Sequence, residues 1–372
     1  MNRLLKVFRA GRKAMGLALL LAGVPFSIAG GQTLLSRYQP GATPEGCVYY
    51  LPQTVLHISV LVEKSVYEPG DFAPFAQRYL RVADVSQEPL TRYRVVGITQ
   101  TPLPVADTSK VFSVRFDARS VAARMSLSED GRLLGMNIDN AADVELPMPF
   151  EPQPQAPWVN PRQFMSEEIL SCGSTAKMAE LTAHEIYDLR ENRSLLIKGQ
   201  ADLMPQDGQQ MQLMLQELDR QDRALTSLFL GTTKCDTTEH VLWYVPAKGA
   251  NSGREVLFRL SQLRGLVEAD DLSGAPYYIN VEDVSQLPAA EPVDKKKKAA
   301  KQEAGIYVNV PGRLRSTLYE GIQPLQALEA PAPQYGYTLL LSGDLFNKRY
   351  TTRLRLNALT GAVERLDADQ PK

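Results

Sequence analysis

Two segments near the middle of the chain carry apolar side chains at three- and four-residue spacing, which is typical of amphipathic α-helices. The first helix has a ragged stripe at Met178, Leu181, Ile186 and Leu189. The second helix has a longer stripe at Met211, Met214, Leu215, Leu218, Leu225, Leu228 and Phe229. Because only the segment GQADLMPQDG joins them, we predict an antiparallel two-helix hairpin that must dock on the rest of the chain.

The ends of both predicted helices carry residues that favour helix termini. Ser174, or the threonine after it, can cap the first helix, and Gly199 can end it. Asp207 can cap the second helix, with Gln210 reaching back in a variant of the capping box. Gly231 then ends the second helix.

Charged residues on the two helices predict ion pairs between them. Asp222 lies near the apolar stripe of the second helix, and we predict that it pairs with Arg190 or Arg193. The alternative, in which both arginines face one pocket and bind an anion, is less favoured than a solvated helix face with ion pairs.

Alternating apolar and polar residues on both sides of the hairpin predict strands. In TVLHISVLVEK, Leu56, Ile58, Val60 and Val62 share one face, and His57 lies on the solvent face or at an edge. Further strands are predicted in TRYRVVGITQ, KVFSVRFDA, ARMSLS, HVLWYVP, REVLFRLS, APYYINVE and from GIYVNVPG to Asp367. Residues 68–71, EPGD, predict a type II turn, followed by a short helix in DFAPFAQRYL.

Three segments share a strand end, a turn that contains glycine and a returning strand: LSEDGRLL, LSQLRGLV and LNALTGAV. Each predicts a β-hairpin, and the similarity leaves open whether they form a true repeat. The predicted fold class is α+β and mostly β, with antiparallel β-sandwich-like modules flanking a central antiparallel two-helix hairpin.

Shifts in composition divide the chain into seven segments. They are a signal peptide (1–29), an N-terminal β domain (30–146), a Pro-rich connector (147–162), the helical hairpin (163–233), a middle β segment (234–287), a Lys-rich linker (288–304) and a C-terminal β segment (305–372). The Lys295–Lys298 run of the linker is interpreted as a solvated spacer rather than as a site for an acidic surface.

The N-terminus has the pattern of a secretion signal. Basic residues precede an apolar run, Met15–Ile28, and small residues favour cleavage after Ala29. An uncleaved anchor helix is the alternative, but the run is shorter than the ~20 residues of a membrane span and is interrupted by Pro25. We therefore predict an exported chain without a transmembrane span after cleavage.

The charge balance and the cysteine content narrow the class of protein. With 41 Lys and Arg against 42 Asp and Glu, the net charge of −1 argues against nucleic-acid binding or membrane binding based on net charge. The chain contains three cysteines, too few for a disulfide scaffold. Two of them can pair in an oxidising compartment, and Cys172 with Cys235 is the favoured pair because they bracket the hairpin. Cys47 would then be left over.

Two incomplete motifs resemble the sequences of known catalytic or metal-binding sites. Ser174 and Lys177 match the S-x-x-K of penicillin-binding enzymes, but the S-D-N and K-T-G motifs are missing, so a capping serine and a surface lysine are favoured. His184 and Glu185 begin like H-E-x-x-H, but position 188 is Asp and no third metal ligand is evident. We therefore assign no catalytic, cofactor-binding or metal-ligating residue.

Several phrases of the chain resemble an uncharacterised exported family of Bacteroidota, a domain of unknown function with the family number four-eight-three-one. They are VEKSVYEPGDFAPFAQRYL, the hairpin from GSTAKMAELTAHEIYDLRENRSLLIKG to SLFLGTT, VLFRLSQLRGLVEADDLSGAPYYI and GIYVNVPG. The resemblance covers nearly all of the chain after the signal and implies the periplasm or cell surface of a Gram-negative bacterium. It carries over no catalytic residue, and the KKKK linker looks like a local insertion.

The expected function is a binding or assembly role for a non-enzymatic cell-envelope protein with a protein partner. One alternative is a serine hydrolase or acyl-transfer enzyme that uses Ser174 and Lys177. The other is a protein that binds a small ligand, such as a glycan or peptide fragment, in a pocket lined by aromatic residues. The candidate aromatics are Trp158, Trp243, Tyr277 and Tyr278, for which core positions are the favoured interpretation.

Overall fold

The computed structural model describes residues 34–37, 46–115, 124–139, 141–152, 154, 157–201, 203–205, 207–247, 253–287, 305–346 and 351–369. The predicted signal peptide and Lys-rich linker lie outside the described residues. The strands are β1 Leu34–Arg37, β2 Cys47–Glu68, β3 Leu90–Arg115, β4 Met125–Leu127, β5 Leu133–Met136, β6 Thr232–Tyr244, β7 Glu255–Ser261, β8 Gly265–Val267, β9 Ala275–Asp283, β10 Gly305–Glu320, β11 Gln323–Ser342, β12 Thr351–Leu356 and β13 Val363–Asp369. The α-helices are α1 Ala76–Tyr79, α2 Glu167–Leu170, α3 Thr175–Lys198 and α4 Gly208–Leu230, with 3₁₀ helices at Ala73–Phe75, Pro161–Phe164 and Gly343–Phe346.

The described strands form three antiparallel sheets. The first has the order β1-β3-β2-β6, the second β11-β10-β9-β7-β8, and the third β13-β12-β5-β4. Strands outnumber helices, and α3 and α4 form the central hairpin, so the predicted α+β, mostly-β fold class is confirmed. No helix in the described part of the chain has the length and hydropathy that a membrane crossing requires.

The first and second sheets pack face to face over an apolar core. The predicted alternation in β2 is confirmed, since Leu56, Ile58, Val60 and Val62 are all buried in this core against side chains of the second sheet. His57 lies on the opposite face of β2, edge-on to Trp243 at 5.0 Å between ring centroids. Because β2 lies between β3 and β6, His57 is a solvent-face residue and not an edge residue.

Two predicted strands, TRYRVVGITQ and KVFSVRFDA, are one long strand, β3. Pro102 and Pro104 lie between them and favour an interruption. However, β1 pairs only with residues 112–115 of β3, so the prolines lie where β3 is an edge strand. A proline that lacks an N–H is tolerated at such an edge.

Strands that are far apart in the chain share sheets. In the first sheet β6, which follows the helical hairpin, pairs along β2 from Leu56 to Glu68. In the third sheet β12 pairs with β5. The first and second sheets are also joined by the side-chain amide of Gln334 in β11. It accepts from the N–H of Thr54 in β2 at 3.0 Å and donates to the Thr54 carbonyl at 2.8 Å. The segment boundaries proposed from composition stay a prediction.

The three segments with similar turns all form β-hairpins, as predicted: β4–β5, β7–β8 and β12–β13. Each has a glycine with positive φ, namely Gly131, Gly265 and Gly361. Each turn also accepts a backbone hydrogen bond from a long strand, at Gly131 from Tyr50, at Gln262 from Tyr93 and at Gly361 from Asn309. The three hairpins thus dock in the same manner, and their origin as a repeat stays a prediction.

The helical hairpin has the predicted ends. Gly199 ends α3 with a φ of 69°, and the carboxylate of Asp207 accepts from the Gln210 N–H at 2.7 Å at the start of α4. Ser174 occupies the N-cap position of α3, but its side chain makes no capping hydrogen bond. Gly231 ends α4.

The turn before the first short helix differs from the prediction. Gly70 does not have the positive φ that a type II turn requires, so that prediction is wrong. Instead, a Cβ at Gly70 would lie 2.1 Å from the carbonyl oxygen of Leu228 in α4. Glycine is needed here because the chain passes close to the helix, where the Phe72 N–H donates to the same carbonyl at 2.7 Å.

Candidate functional site

The half of the helical hairpin nearest the first sheet is packed into a core. Ala179, Ala183, Ile186 and Leu189 of α3 meet Leu225, Leu228 and Phe229 of α4 there. The short helices complete this core with Phe72, Ala76, Leu80, Met165 and Ile169. The hairpin is therefore anchored at the end where α4 passes into β6.

The distal half of the hairpin is covered much less. No residue from Gly208 to Arg223 of α4 is buried, although four apolar residues of the predicted stripe lie in this range. Met211, Met214, Leu215 and Leu218 are only partly buried. The stripe that the sequence predicts as continuous is thus divided into a buried part and a partly exposed part.

A cleft of about 450 Å³ lies between the helices in this distal half. We call it the distal cleft, and its lining residues are Asn192, Leu195, Leu196, Gln200, Ala201, Leu203, Met214, Glu217 and Leu218. Leu203 of the lining is 84% exposed, and Leu213, next to the lining residue Met214 in α4, is 67% exposed. Exposed apolar residues next to an apolar cleft are typical of an interaction site.

The distal cleft carries little charge. Among the residues that the structure describes, Glu217 is the only ionisable one in the lining, and its carboxylate pairs with Arg220 at 3.3 Å. Asn192 and Gln200 contribute neutral amides. The cleft is thus suited to apolar groups with a few hydrogen bonds at the rim.

Ion pairs across the hairpin hold the two helices together. The guanidinium of Arg190 donates to Asp222 at 3.0 Å, which confirms the predicted partner of Asp222. Arg193 donates to Asp219 at 2.6 Å. Because both arginines already have carboxylate partners, they form a solvated face with ion pairs and not an anion pocket.

The surroundings of Ser174 provide no activating base. Ser174 is exposed, and the ammonium group of Lys177 lies 2.9 Å from the Glu180 carboxylate. The hydrogen bond to Glu180 raises the pKa of Lys177, whereas a lysine that activates a serine needs a lowered pKa. The hydrolase alternative stays a hypothesis without a supporting contact.

The other predicted chemical groups are dispersed. His184 and Asp188 are exposed on α3, and among the described residues no three metal-ligating side chains lie together. Cys172 and Cys235, both described, do not form the favoured disulfide bond. The thiol of Cys172 instead donates to the Glu168 carbonyl at 3.2 Å, and Cys235 lies in β6 opposite Ser65. The favoured pairing is therefore wrong for this structure.

The four candidate aromatic residues do not line a common pocket. Tyr277 is buried in the core and stacks on Phe258 with ring centroids 4.6 Å apart. Tyr278 follows it in β9 and therefore points to the opposite face. Trp158 and Trp243 are mostly exposed and lie in the connector and in β6. The core interpretation is correct for Tyr277 alone.

The loop side of the distal cleft lies outside the helical stripes that the sequence predicts. Leu203 was not considered, although a leucine in a short connection between helices is a signal of an exposed apolar side chain. A second signal is the mismatch between the long stripe of α4 and the ragged stripe of α3. A stripe without a matching partner stripe remains partly uncovered when the helices pack.

Comparison with curated proteins found no match, and comparison with solved structures found none either. A comparison with protein families gave a match over residues 45–364, which extends from β2 into β13. This range includes the helical hairpin with the distal cleft and all but the first strand of the described sheets. The chain therefore belongs to the family described as Domain of unknown function (DUF4831).

Proposed function

We propose that this protein is an exported, non-enzymatic cell-envelope protein that binds a protein partner through the distal cleft. The observation that carries the proposal is the divided stripe of α4. Its proximal residues are buried, while its distal residues face a weakly charged cleft and solvent. An exposed apolar stripe is unfavourable in water and becomes favourable when a partner covers it.

The chemistry of the cleft favours the apolar face of an amphipathic helix as the bound element. Two antiparallel helices leave a groove along their contact, and a third helix can fill it by side-chain packing. Met214 lines the groove, and the flexible methionine side chain adapts to the shape of a partner. Among the described lining residues the one charge, on Glu217, is paired with Arg220, so a partner need not supply a compensating charge there.

The experiment that tests this proposal changes exposed leucines. Leu203→Ser with Leu213→Ser makes two exposed side chains polar, one in the lining of the distal cleft and one beside its Met214, and Leu263→Ser with Leu272→Ser is the control because those leucines are 72% and 82% exposed elsewhere. Each chain is crosslinked in cells and recovered from the envelope. We expect the distal variant to lose roughly tenfold or more of a specific crosslinked partner, since truncating an apolar anchor costs ~1–2 kcal/mol or more. Equal recovery in both variants would refute the proposed site.

Export is tested separately on the unchanged protein. The N-terminal residue of the chain recovered from the periplasmic or surface fraction is determined by mass spectrometry. We expect it to be Gly30, because the apolar run ends in small residues suited to signal cleavage. Recovery of the whole chain in the cytoplasm would contradict export without deciding whether the distal cleft binds a partner.

A further inference from the structure

The outer face of the third sheet carries a second concave site, far from the hairpin in sequence. A cleft of about 350 Å³ lies over β12, β13 and the end of β5. We call it the arginine cleft, and its lining residues are Asn137, Ile138, Asp139, Arg353, Arg355, Arg365 and Asp367. Three arginines against two aspartates give this cleft a positive formal charge.

The strand register brings the arginines together on one face. Arg353 and Arg355 are two residues apart in β12 and therefore point to the same side of the sheet. Arg365 of β13 lies directly opposite Arg355. Leu354 and Leu356 point to the other side and are buried, so a slip of the strand would expose them. The burial of these leucines thus fixes the arginines on the solvent face.

Both carboxylates of the arginine cleft already form ion pairs with arginines. Arg365 pairs with Asp367 at 2.7 Å, and Asp139 pairs with Arg124 at 3.2 Å. Among the residues that the structure describes, neither Arg353 nor Arg355 has an ion-pair partner. Like charges directly opposite each other in a sheet are destabilising, and Arg355 faces Arg365 in this way. Arg353 lies opposite Asp367 in the register, but that carboxylate is bonded to Arg365, so the face keeps an excess of positive charge at a cost in stability.

We propose that the arginine cleft binds a phosphate monoester group, carried by a small solute or by a lipid headgroup. The planar guanidinium groups of Arg353 and Arg355 each present a fork of N–H donors that matches phosphate oxygens. A phosphate monoester carries a charge of about −1.5 to −2 at pH 7, which balances two arginines, whereas one carboxylate balances only one. Bound phosphate would also screen the repulsion between Arg355 and Arg365.

The test titrates the purified full chain with inorganic phosphate by calorimetry. The variant carries Arg353→Gln and Arg355→Gln. The control carries Arg313→Gln and Arg315→Gln, which removes the same charge from arginines that share Glu329. We expect the variant to bind phosphate roughly tenfold or more weakly than the wild type, because it loses two charge-assisted contacts, and the control to bind within about twofold. Equal binding by all three chains, or no binding by the wild type, would overturn the proposal.

Thermal unfolding gives a second readout that does not depend on calorimetry. Without phosphate, we expect the variant to unfold at the same temperature as the wild type or higher, since it lacks the repulsion of Arg355 by Arg365. Added phosphate should raise the unfolding temperature of the wild type and of the control but not of the variant. A phosphate-induced rise of the same size in the variant would contradict the assignment.

Vesicles distinguish the two sources of the phosphate group. Stronger retention on phosphatidic acid than on phosphatidylcholine vesicles, lost in the variant, would identify a lipid headgroup as the ligand. Phosphate binding without that retention would identify a soluble phosphate ester. Retention that the variant keeps would show that other residues cause it and would refute the lipid form of the proposal.

Discussion

Arg132 joins three segments of the chain through one buried guanidinium group. Its side chain is 7% exposed and donates to Asp130 at 2.7 Å and to Asp143 at 2.8 Å. The same group donates to the carbonyl of Ala358, in the turn between β12 and β13, at 3.1 Å. The arginine thus fixes the β4–β5 turn against a hairpin more than two hundred residues later.

Arg132→Ala is expected to lower the free energy of unfolding by about 2–3 kcal/mol. This is less than the ~3–5 kcal/mol of a fully buried broken pair, because the two aspartates are over one third exposed and water can solvate them. Urea unfolding at pH 7 measures the change. Arg132→Lys is the control, because it keeps the positive charge but loses the forked N–H donors of the guanidinium. Its free energy of unfolding should lie between those of the wild type and of Arg132→Ala. A value for Arg132→Ala within experimental error of the wild type would show that the network is not stabilising.

The same network predicts a dependence of stability on pH. Burial, the largest single cause, raises the pKa of Asp130, but hydrogen bonds from Ser128, Arg132 and the Ala106 N–H and the charge of Arg132 together lower it more, so its pKa lies below the usual value. A carboxyl group with a lowered folded-state pKa adds stability above its unfolded pKa of about 3.9, and this is lost as the pH falls through the folded value. Asp130→Asn should therefore be less stable than the wild type at pH 7, with the difference shrinking below about pH 4. Urea unfolding between pH 2 and 7 tests this, and a constant difference would disprove it.

Only part of this chemistry was visible in the sequence. The pairing of Asp222 with Arg190 could be predicted because both lie on helices joined by a short connection. The network of Arg132 could not be predicted, since Asp143 and Ala358 come near it only through the third sheet. Arg353 and Arg355 were not singled out either, because their opposition to Arg365 depends on the register of β12 and β13.

Helix α4 combines an anchoring part and an exposed part in one element. Leu225 is fully buried in the hairpin core, whereas Leu218 lines the distal cleft and is only partly buried. The two leucines occupy equivalent positions of the same apolar stripe, seven residues apart. They therefore form a matched pair for separating the structural role of the stripe from its binding role.

Leu225→Ala should cost about 2–5 kcal/mol of unfolding free energy, because it leaves a cavity in a packed core. Leu218→Ala should cost less than about 1.5 kcal/mol, since it removes a side chain that still touches water. Urea unfolding of the isolated protein measures both. Equal losses would show that the distal cleft is as well packed as the core and would contradict an uncovered surface there.

At the scale of the whole molecule, strands before and after the Lys-rich linker build common sheets. The second sheet combines β7, β8 and β9 with β10 and β11, and β9 pairs with β10 from Asp283 to Tyr277. The third sheet combines β4 and β5 with β12 and β13. The two parts of the chain are thus held together by sheet hydrogen bonds and shared cores, independently of the linker.

A cut in the linker should therefore leave the two fragments associated. A specific protease sequence inserted after Lys298 allows a single cleavage, and size-exclusion chromatography then compares the native and urea-treated samples. We expect one peak of unchanged size under native conditions and two fragments in urea, because the buried sheet contacts persist after cleavage. Separation of the fragments without denaturant would show that the segments before and after the linker fold as independent units.

The local elements of this protein follow from short patterns in its amino-acid sequence. The helical stripe, the cap at Asp207, the stop at Gly199 and the three glycine turns all act within a few residues, so short stretches of sequence were enough to predict them. The alternation of β2 likewise determined which face is buried. The mostly-β fold class with a helical hairpin followed from these local patterns.

Which strands pair with one another, and which helix surfaces are covered, is evident only from the tertiary structure. The pairing of β2 with β6 and of β5 with β12 depends on partners that lie far apart in the chain, and several strands of similar pattern compete for each place. Local periodicity cannot choose among them, because the choice is made by the total apolar surface that each arrangement buries. For the same reason only the packed structure showed that the stripe of α4 is fully covered at Leu225 but only partly covered at Leu218, which packs against the hairpin core and lines the distal cleft.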